Sequence, residues 1–388
     1  MGDIVAFNQF LNYMKRFSAF CLSAAVMAGA LLFFASCKKE NPAPAPDPTP
    51  TSIDLYASGT ANCYIVSAPG TYYFKATKGN SNLLAGDIEK AEVLWESFGT
   101  SAVPDKGSII SSVSYADNYV TFTTPLTLRN GNAVIAVRGP MEKILWSWHI
   151  WVCQGYNPDA TGQVYSRSAG TMMDRNLGAT SSTPGAVESF GLLYQWGRKD
   201  PFLGSSSLEF STLAKSTIDW PTPVSSADYG NVNVAVGIPT TFIYASTGQD
   251  WVHGGPDNTL WAADKTIYDP CPYGWKVPAG GDNGVWATAA GSADDFKWTS
   301  DFDNDAMNLS GKLGDAGSIW YQAAGCRGED NGNLSSVGAQ GHCWSITPNN
   351  NNVYTCYMYF ASGEKKSSFY PKSSVPRAAG YSVRCVKE

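Results

Sequence analysis

The residues best suited to acid–base or nucleophilic chemistry are the three histidines, His149, His253 and His342. His342 directly precedes Cys343, and a histidine that takes the proton of a thiol is the basis of cysteine nucleophiles. Adjacent residues of a strand point to opposite faces, so these two side chains cannot pair on a strand. His149 alternates with tryptophans and is predicted to be half-buried, whereas His253 is predicted to lie in a loop. We therefore predict no catalytic residue.

An acidic loop has the spacing of the first calcium ligands of an EF-hand, at Asp301, Asp303, Asp305 and Asn308. Ala306 stands where that loop requires glycine, and Lys312 stands where it requires a bidentate glutamate. An EF-hand is therefore excluded. A looser calcium site and a solvated acidic loop both remain open, and we predict no metal and no cofactor.

Charge and motifs exclude several other classes of function. The chain has 33 acidic and 27 basic residues, a formal net charge of −6, whereas a nucleic-acid partner requires a basic surface. No phosphate-binding loop, G-x-S-x-G turn, H-E-x-x-H helix or G-x-G-x-x-G turn is present. These observations favour a non-enzymatic protein that does not bind nucleic acid.

The N-terminus has the order of an export signal. Lys15 and Arg16 precede an uncharged apolar run over 17–36, which is typical of a signal peptide. The run ends in FASC, which resembles the lipobox of bacterial lipoproteins. That resemblance implies a signal peptide over 1–36 and a lipid on Cys37, which would anchor the protein to the outer membrane at the cell surface. A transmembrane anchor is the alternative, since 20 apolar residues can span a bilayer.

Residues 37–52 are predicted to form a linker. A proline occupies every second position from 42 to 50, which favours extended polyproline II structure at about 3.1 Å per residue. The segment is expected to act as a stalk between the membrane and the folded body.

Residues 53–154 are predicted to form an all-β sandwich. Short strands are expected over 62–67, 71–77, 90–96, 119–124, 133–137 and 144–152. Asn130-Gly131 is a signal for a two-residue hairpin before the fifth of these strands. Cys63 and Cys153 lie on the first and last strands, and we expect that a disulfide could join them. Several short strands in 100 residues without a helical period are typical of a sandwich.

Residues 155–388 contain five ordered motifs that resemble a known family. They are MDRNLGAT (173–180), YQWGRKDPF (194–202), DPCPYGWKVP (269–278), AAGCRGEDNGNLSSVGAQGHCWS (323–345) and SVPRAAGYSVRCVKE (374–388). Together they resemble the Fibrobacter succinogenes major paralogous domain, which is common on Bacteroidetes surface proteins. Residues 60–80 and 144–152 likewise resemble segments of secreted lipoproteins and fimbrial proteins of the Bacteroidetes.

The resemblance implies an α+β fold related to C-type lectin-like and formylglycine-generating-enzyme-like domains. Lectin-like folds commonly link a central cysteine to the last strand, which implies a disulfide between Cys271 and Cys385. The alternative is that both are buried free thiols. If Cys271 and Cys385 are bonded, the three remaining cysteines of this half can form one pair and leave one odd thiol, and the sequence does not select which: Cys326, Cys343 and Cys356. The tryptophans inside the motifs are expected to form the framework: Trp196, Trp275 and Trp344.

The favoured function is a cell-surface adhesin or ligand-binding lipoprotein, either free of fimbriae or associated with them. Its partner is expected to be a glycan or a host or bacterial surface protein, bound through loops between Gly197 and Gly341. A carbohydrate-active or formylglycine-generating-like enzyme is the first alternative, and a structural fimbrial subunit is the second. Convergent acidic residues in the structure would favour the enzyme, and a shallow aromatic groove would favour the adhesin. An open sheet edge would favour the structural subunit.

Overall fold

A computed structural model of the chain describes residues 52–291, 298–304, 306–308, 313–314 and 318–388. The chain divides into two compact units, Met1–Thr49 and Pro50–Glu388, and every described residue belongs to the second. The predicted signal peptide, Cys37 and all but the last residue of the predicted linker lie outside the described residues. Among the described residues, no helix is long and apolar enough to cross a membrane.

The first 100 described residues form eight strands in two sheets. The strands are β1 (Ile53–Asp54), β2 (Cys63–Val66), β3 (Thr71–Lys75), β4 (Lys90–Ser97), β5 (Ser112–Ala116), β6 (Tyr119–Thr123), β7 (Gly131–Arg138) and β8 (Ile144–Val152). One sheet has the order β1-β3-β6-β5 and the other the order β2-β8-β7-β4. Buried residues of the two sheets form one hydrophobic cluster, which includes Phe74, Phe122, Ile135 and Trp148.

The sheet β2-β8-β7-β4 is buried on both of its faces. Ile135 and Trp148 face the cluster shared with the other sheet, while Val134 and Trp151 belong to a second cluster with Trp344 and other residues of the C-terminal half. Burial on both faces accounts for the nearly continuous apolar sequences of β7 and β8. One hydrophobic cluster therefore contains residues from both sides of position 154.

The described residues after β8 form sixteen strands and four short α-helices. The strands are β9 (Gln163–Tyr165), β10 (Gly170–Met172), β11 (Leu193–Gln195), β12 (Val224–Ser225), β13 (Ile243–Tyr244), β14 (Trp275–Lys276), β15 (Thr299–Asp301), β16 (Ala306–Asn308), β17 (Trp320–Gln322), β18 (Cys326–Arg327), β19 (Leu334–Ser335), β20 (Gln340–Asn349), β21 (Asn352–Ala361), β22 (Lys366–Pro376), β23 (Gly380–Ser382) and β24 (Val386–Lys387). The helices are α1 (Pro158–Thr161), α2 (Ser226–Tyr229), α3 (Val232–Gly237) and α4 (Val285–Ala290).

The largest sheet of this half has the order β19-β18-β23-β20-β21-β22, and β11 pairs with β23. A second sheet has the order β14-β24-β10-β9, a third the order β15-β16-β17, and β12 pairs with β13. The described body is therefore mostly β, with several separate sheets connected by long irregular segments.

The disulfide implied by the lectin-like resemblance is present. Cys271 and Cys385 are bonded, with their Cα atoms 6.1 Å apart, and both are fully buried. The bond joins the segment before β14 to the segment before β24, and these two strands pair. The remaining cysteines of the described residues are free thiols: Cys63, Cys153, Cys326, Cys343 and Cys356.

The predicted link between Cys63 and Cys153 is wrong. β2 and β8 run parallel, and Cys63 lies opposite His149. Cys153 therefore lies four residues further along the neighbouring strand, about 13 Å away at the rise of a β-strand. A disulfide requires Cα atoms within about 7 Å of each other, so the two cysteines cannot bond.

The predicted two-residue hairpin at Asn130-Gly131 is also wrong. Gly131 is the first residue of β7, and β7 pairs with β8 and β4 rather than with the preceding strand β6. A Cβ at Gly131 would lie 2.6 Å from the Ser97 carbonyl oxygen and 2.6 Å from Ile109 Cδ1. Glycine is required here for close packing against its neighbours rather than for a hairpin turn.

Candidate functional site

The histidines do not assemble a reactive site. His149 is fully buried rather than half-buried, and its Nε2 lies 2.8 Å from Asn132 Oδ1. Burial lowers the pKa of His149 to about 3, so the ring is neutral at physiological pH. His253 is exposed in the turn that follows Trp251.

The ring of His342, a residue of β20, is sandwiched between two tyrosine rings of other strands. The ring centroids of Tyr357 and Tyr381 lie 4.4 and 4.2 Å from that of His342. Burial lowers the pKa of His342 to about 3. Cys343 points to the other face of the strand, where it joins a separate hydrophobic cluster with Met358. The two adjacent side chains therefore do not form a nucleophile and its base.

The acidic loop does not gather metal ligands among the residues that the structure describes. Asp301 accepts hydrogen bonds from the backbone and the side chain of Asn304, and Asp303 lies 3.7 Å from Lys365 Nζ. Asp305 lies outside the described residues. No group of three or more His, Cys, Asp or Glu that could hold a metal ion occurs in the described part of the chain.

The motif tryptophans are part of the framework. Trp196, Trp275 and Trp344 are almost completely buried in one hydrophobic cluster. Trp196 Nε1 donates a hydrogen bond to the Ser345 carbonyl oxygen at 2.9 Å, and Trp344 Nε1 donates to that of Tyr194 at 2.7 Å. These indoles hold the irregular segments of the C-terminal half against the largest sheet, and they are not accessible to a ligand.

A buried polar cluster joins β8 to the motif YQWGRKDPF. Lys199 Nζ lies 2.6 Å from both Asp200 Oδ1 and Ser147 Oγ. A lysine beside a serine can activate the serine hydroxyl as a nucleophile. Here the side chains of Ser147, Lys199 and Asp200 are all buried, and Lys199 Nζ also donates to the Ser147 carbonyl oxygen. Burial lowers the pKa of Lys199, although Asp200 opposes the shift. We interpret the cluster as a structural ion pair.

The most suitable ligand site is an open groove with a volume of about 460 Å³, which we call the tryptophan groove. Its walls are formed by aromatic rings, prolines, two leucines, a glycine, short polar side chains and one arginine: Phe202, Ser211, Leu213, Trp220, Pro221, Thr222, Pro223, Thr240, Phe242, Arg327, Gly332, Asn333 and Leu334. None of the described residues that line it is Asp or Glu. All the residues that line the groove fall between Gly197 and Gly341, the part of the chain whose loops were expected to bind a ligand.

The prolines keep one wall of the groove irregular. Pro221 and Pro223 have no backbone N–H and cannot extend a central strand. Regular pairing resumes only at β12, where the Val224 N–H donates to the Phe242 carbonyl oxygen at 2.9 Å. The chain from Trp220 to Pro223 therefore remains a loop whose side chains face the groove.

Trp220 is held by neighbouring rings and by a hydrogen bond. Its ring centroid lies 5.5 Å from that of Trp95 and 6.2 Å from that of Phe202, and Phe202 in turn packs edge-on against Phe242. Its Nε1 donates to Ser216 Oγ at 3.0 Å. The indole is only partly buried, so a fixed aromatic surface is available to a ligand.

Arg327 supplies a positive charge to the same groove. Its guanidinium donates two hydrogen bonds to the Leu203 carbonyl oxygen and one to that of Gly332. The residue is 8% exposed, and burial lowers its pKa to about 10, so it remains charged at physiological pH. Among the described residues, no carboxylate forms an ion pair with Arg327.

The sequence analysis singled out the loop region but neither Trp220 nor Arg327. The only local signal for Trp220 is the string Trp-Pro-Thr-Pro at 220–223, an aromatic residue in a segment that cannot become a strand. Arg327 lies within the fourth motif, where nothing distinguishes it from a surface arginine. Their proximity arises only when segments about 100 residues apart pack together.

Comparison with known proteins gives no match: no protein-family model, no curated protein and no solved structure is similar to this chain. The resemblance of the five motifs to the major paralogous domain therefore stays a prediction.

Proposed function

We propose that the protein is a lipid-anchored outer-membrane protein of the cell surface that binds a glycan in the tryptophan groove without converting it. The observation that carries the proposal is the partly exposed indole of Trp220 beside the hydroxyls of Thr222 and Thr240 and the amide of Asn333. Ligand sites commonly combine apolar rings with a few polar groups, and a sugar offers both an apolar face and hydroxyls.

The size and openness of the groove support this function. A volume of about 460 Å³ is within the range of roughly 300–1,000 Å³ that is typical of small-molecule sites. The indole is anchored by rings on both halves of the body, because Trp95 belongs to β4 and Phe202 to the C-terminal half. A rigid aromatic surface binds with a small loss of conformational entropy.

The enzyme alternative receives no support from the groove. Glycoside hydrolysis usually requires two carboxylates on either side of the scissile bond, and no Asp or Glu is among the described residues that line the groove.

The structural-subunit alternative requires an open sheet edge. The edge of β4 is not open, because residues 215–217 of the chain itself cover it. The Thr217 N–H donates to the Glu96 carbonyl oxygen at 3.0 Å, and Ser97 Oγ donates to that of Lys215 at 2.6 Å. A neighbour's strand could pair there only by displacing this segment.

The proposal includes the predicted arrangement of the body: an all-β sandwich followed by a lectin-like domain of the major paralogous type. The two four-stranded sheets with a common core support the sandwich. The disulfide between Cys271 and Cys385 supports the lectin-like half, because the resemblance implied it in advance of the structure.

Trp220→Ala tests the proposed function. The protein and the variant are applied to a glycan array, and each bound glycan is then titrated. We expect at least one specific glycan, and the variant should bind it about tenfold or more weakly, which is the usual loss for an aromatic residue at the centre of a binding site. Product release from a bound glycan would instead favour the enzyme.

Trp298→Ala is the matched control. Trp298 is also partly buried and also donates its indole N–H to a serine, Ser367 Oγ at 2.9 Å, but it does not line the groove. The control should retain full binding. Equal losses in the two variants, or no bound glycan at all, would contradict the proposed function.

A further inference from the structure

The groove contains a buried cation whose hydrogen-bonding capacity is not fully used. A guanidinium has five N–H donors, and Arg327 uses three of them on carbonyl oxygens. Within the part of the chain that the structure describes, one N–H on each terminal nitrogen has no hydrogen-bond partner. A buried charge is costly unless it is paired, and carbonyl oxygens supply no formal negative charge.

A second guanidinium, that of Arg198, lies beside the same aromatic ring as Arg327 but does not line the groove. The guanidinium carbons of Arg198 and Arg327 lie 5.1 and 5.9 Å from the centre of the Phe202 ring. Arg198 donates to Gln195 Oε1 and to the carbonyl oxygens of Thr241, Ala235 and Ile238, and its Nε has no hydrogen-bond partner among the described residues. Asp200 lies close enough to Arg198 to oppose the effect of burial on its pKa, so the charge of Arg198 is partly compensated. Arg327 is therefore the charged group that the groove presents, and none of the described residues that line the groove is acidic.

We propose that the ligand of the tryptophan groove is an acidic glycan, whose uronic or sialic acid carboxylate pairs with the guanidinium of Arg327 while a sugar ring packs on Trp220. Two remaining N–H donors match the two oxygens of a carboxylate. The inference rests on the proposed function, because it specifies the class of glycan that this same groove takes. An acidic glycan completes the charge pairing, whereas a neutral glycan leaves Arg327 uncompensated.

The test uses the purified full protein and oligosaccharides of galacturonate, mannuronate and hyaluronan together with sialyllactose. Each is titrated beside its carboxyl-reduced form, which has the same linkages and shape but no charge. At least one acidic glycan should bind with a Kd about tenfold lower than its reduced form, and raising the salt concentration should weaken the acidic interaction only. A sulfated neutral glycan is included to separate carboxylate recognition from binding of any anion.

Asn333→Asp tests whether the groove recognises the negative charge of the ligand, and it leaves the hydrogen bonds of Arg327 in place. Asn333 is exposed on the rim of the groove, and an added carboxylate there should weaken binding of the acidic glycan about fivefold or more beyond any effect on binding of its reduced form. Asn233→Asp, which adds the same charge at an exposed position of α3 outside the groove, is the control. Arg327→Gln should abolish the preference for the acidic form, and its folding is checked by the melting temperature.

The outcomes separate this inference from the proposed function. Binding of acidic and carboxyl-reduced forms with equal affinity, with both dependent on Trp220, would overturn the acidic ligand and preserve a glycan-binding groove. Binding of the sulfated glycan alone would likewise overturn it. A failure of all glycans to bind would overturn both.

Discussion

Phe202 is the residue around which the candidate site is organised. Its ring contacts the rings of Trp220 and Phe242, and both buried guanidiniums, Arg198 and Arg327, lie beside it. An aromatic ring attracts a cation through its quadrupole, which offsets part of the cost of removing the two arginines from water. The same ring therefore positions the aromatic wall and stabilises the charge that the groove presents.

At the scale of a single residue, His342 provides a test of how the burial of a titratable side chain makes stability depend on pH. Because its pKa is about 3 in the folded protein and 6.5 in its ordinary state, the unfolded chain takes up a proton first as the pH falls below 6.5. The stability contributed by neutral His342 is therefore complete above pH 6.5 and is lost as the pH falls towards 3. His342→Phe keeps the ring stack between Tyr357 and Tyr381 without titrating.

We expect wild type to lose stability relative to His342→Phe by about 1.4 kcal/mol per pH unit between pH 6 and pH 4. Urea denaturation at a series of pH values measures this difference. A constant difference between the two proteins over this range would show that His342 is not shielded from water.

At the scale of elements, β4 connects the two halves of the body at the groove. Its edge is covered by residues 215–217, and the same segment leads directly into Trp220. Trp95, also on β4, packs against the indole of Trp220. A strand of the N-terminal half thus positions a groove whose other walls belong to the C-terminal half.

The disulfide is the covalent constraint between elements. It closes a segment with a sequence separation of 114 and keeps the last strand, β24, beside β14. Cys271→Ala with Cys385→Ala should lower the free energy of unfolding by about 4–5 kcal/mol, because the unfolded chain regains the entropy of the open loop. Cys326→Ser, which changes a partly exposed free thiol, is the control and should have a small effect. Equal denaturation midpoints for wild type and the double variant would contradict the expected contribution.

At the scale of the whole molecule, the largest hydrophobic cluster of the described residues includes residues from Cys63 to Cys385. The sheet β2-β8-β7-β4 contributes to this cluster and, on its other face, to the core it shares with β1-β3-β6-β5. Because the central sheet is buried on both faces, separating the halves would expose its apolar residues to water. We therefore expect the body to unfold as one cooperative unit.

The predicted lipid anchor belongs to the same scale, because it determines where the body is held. Cys37→Ala should abolish acylation and move the protein from the detergent phase to the aqueous phase in Triton X-114 partitioning, since one diacylated cysteine supplies most of the membrane affinity. Cys326→Ser should remain in the detergent phase. Mass spectrometry that finds residues 17–36 intact in the mature protein would favour a transmembrane anchor instead.

Local patterns in the sequence were enough to determine several features of this protein. Apolar residues at every second position predicted β4 and β6, because the period of a strand is a property of adjacent positions, and a short apolar run predicted β8. The motifs around Cys271 and Cys385 implied the disulfide through their resemblance to lectin-like folds. The residues at positions 306 and 312 excluded an EF-hand, and the sequence left a looser calcium site and a solvated acidic loop as alternatives.

Only the tertiary structure decided which segments meet. The parallel register of β2 and β8 separates Cys63 from Cys153, and the pairing of β7 with β8 and β4 overturns the hairpin at Asn130-Gly131. The tryptophan groove likewise requires Trp220 and Arg327, which are far apart in sequence and come together through packing of separate sheets and loops. Strand direction, register and loop packing depend on the free energy of the whole fold, and no local pattern of residues encodes them.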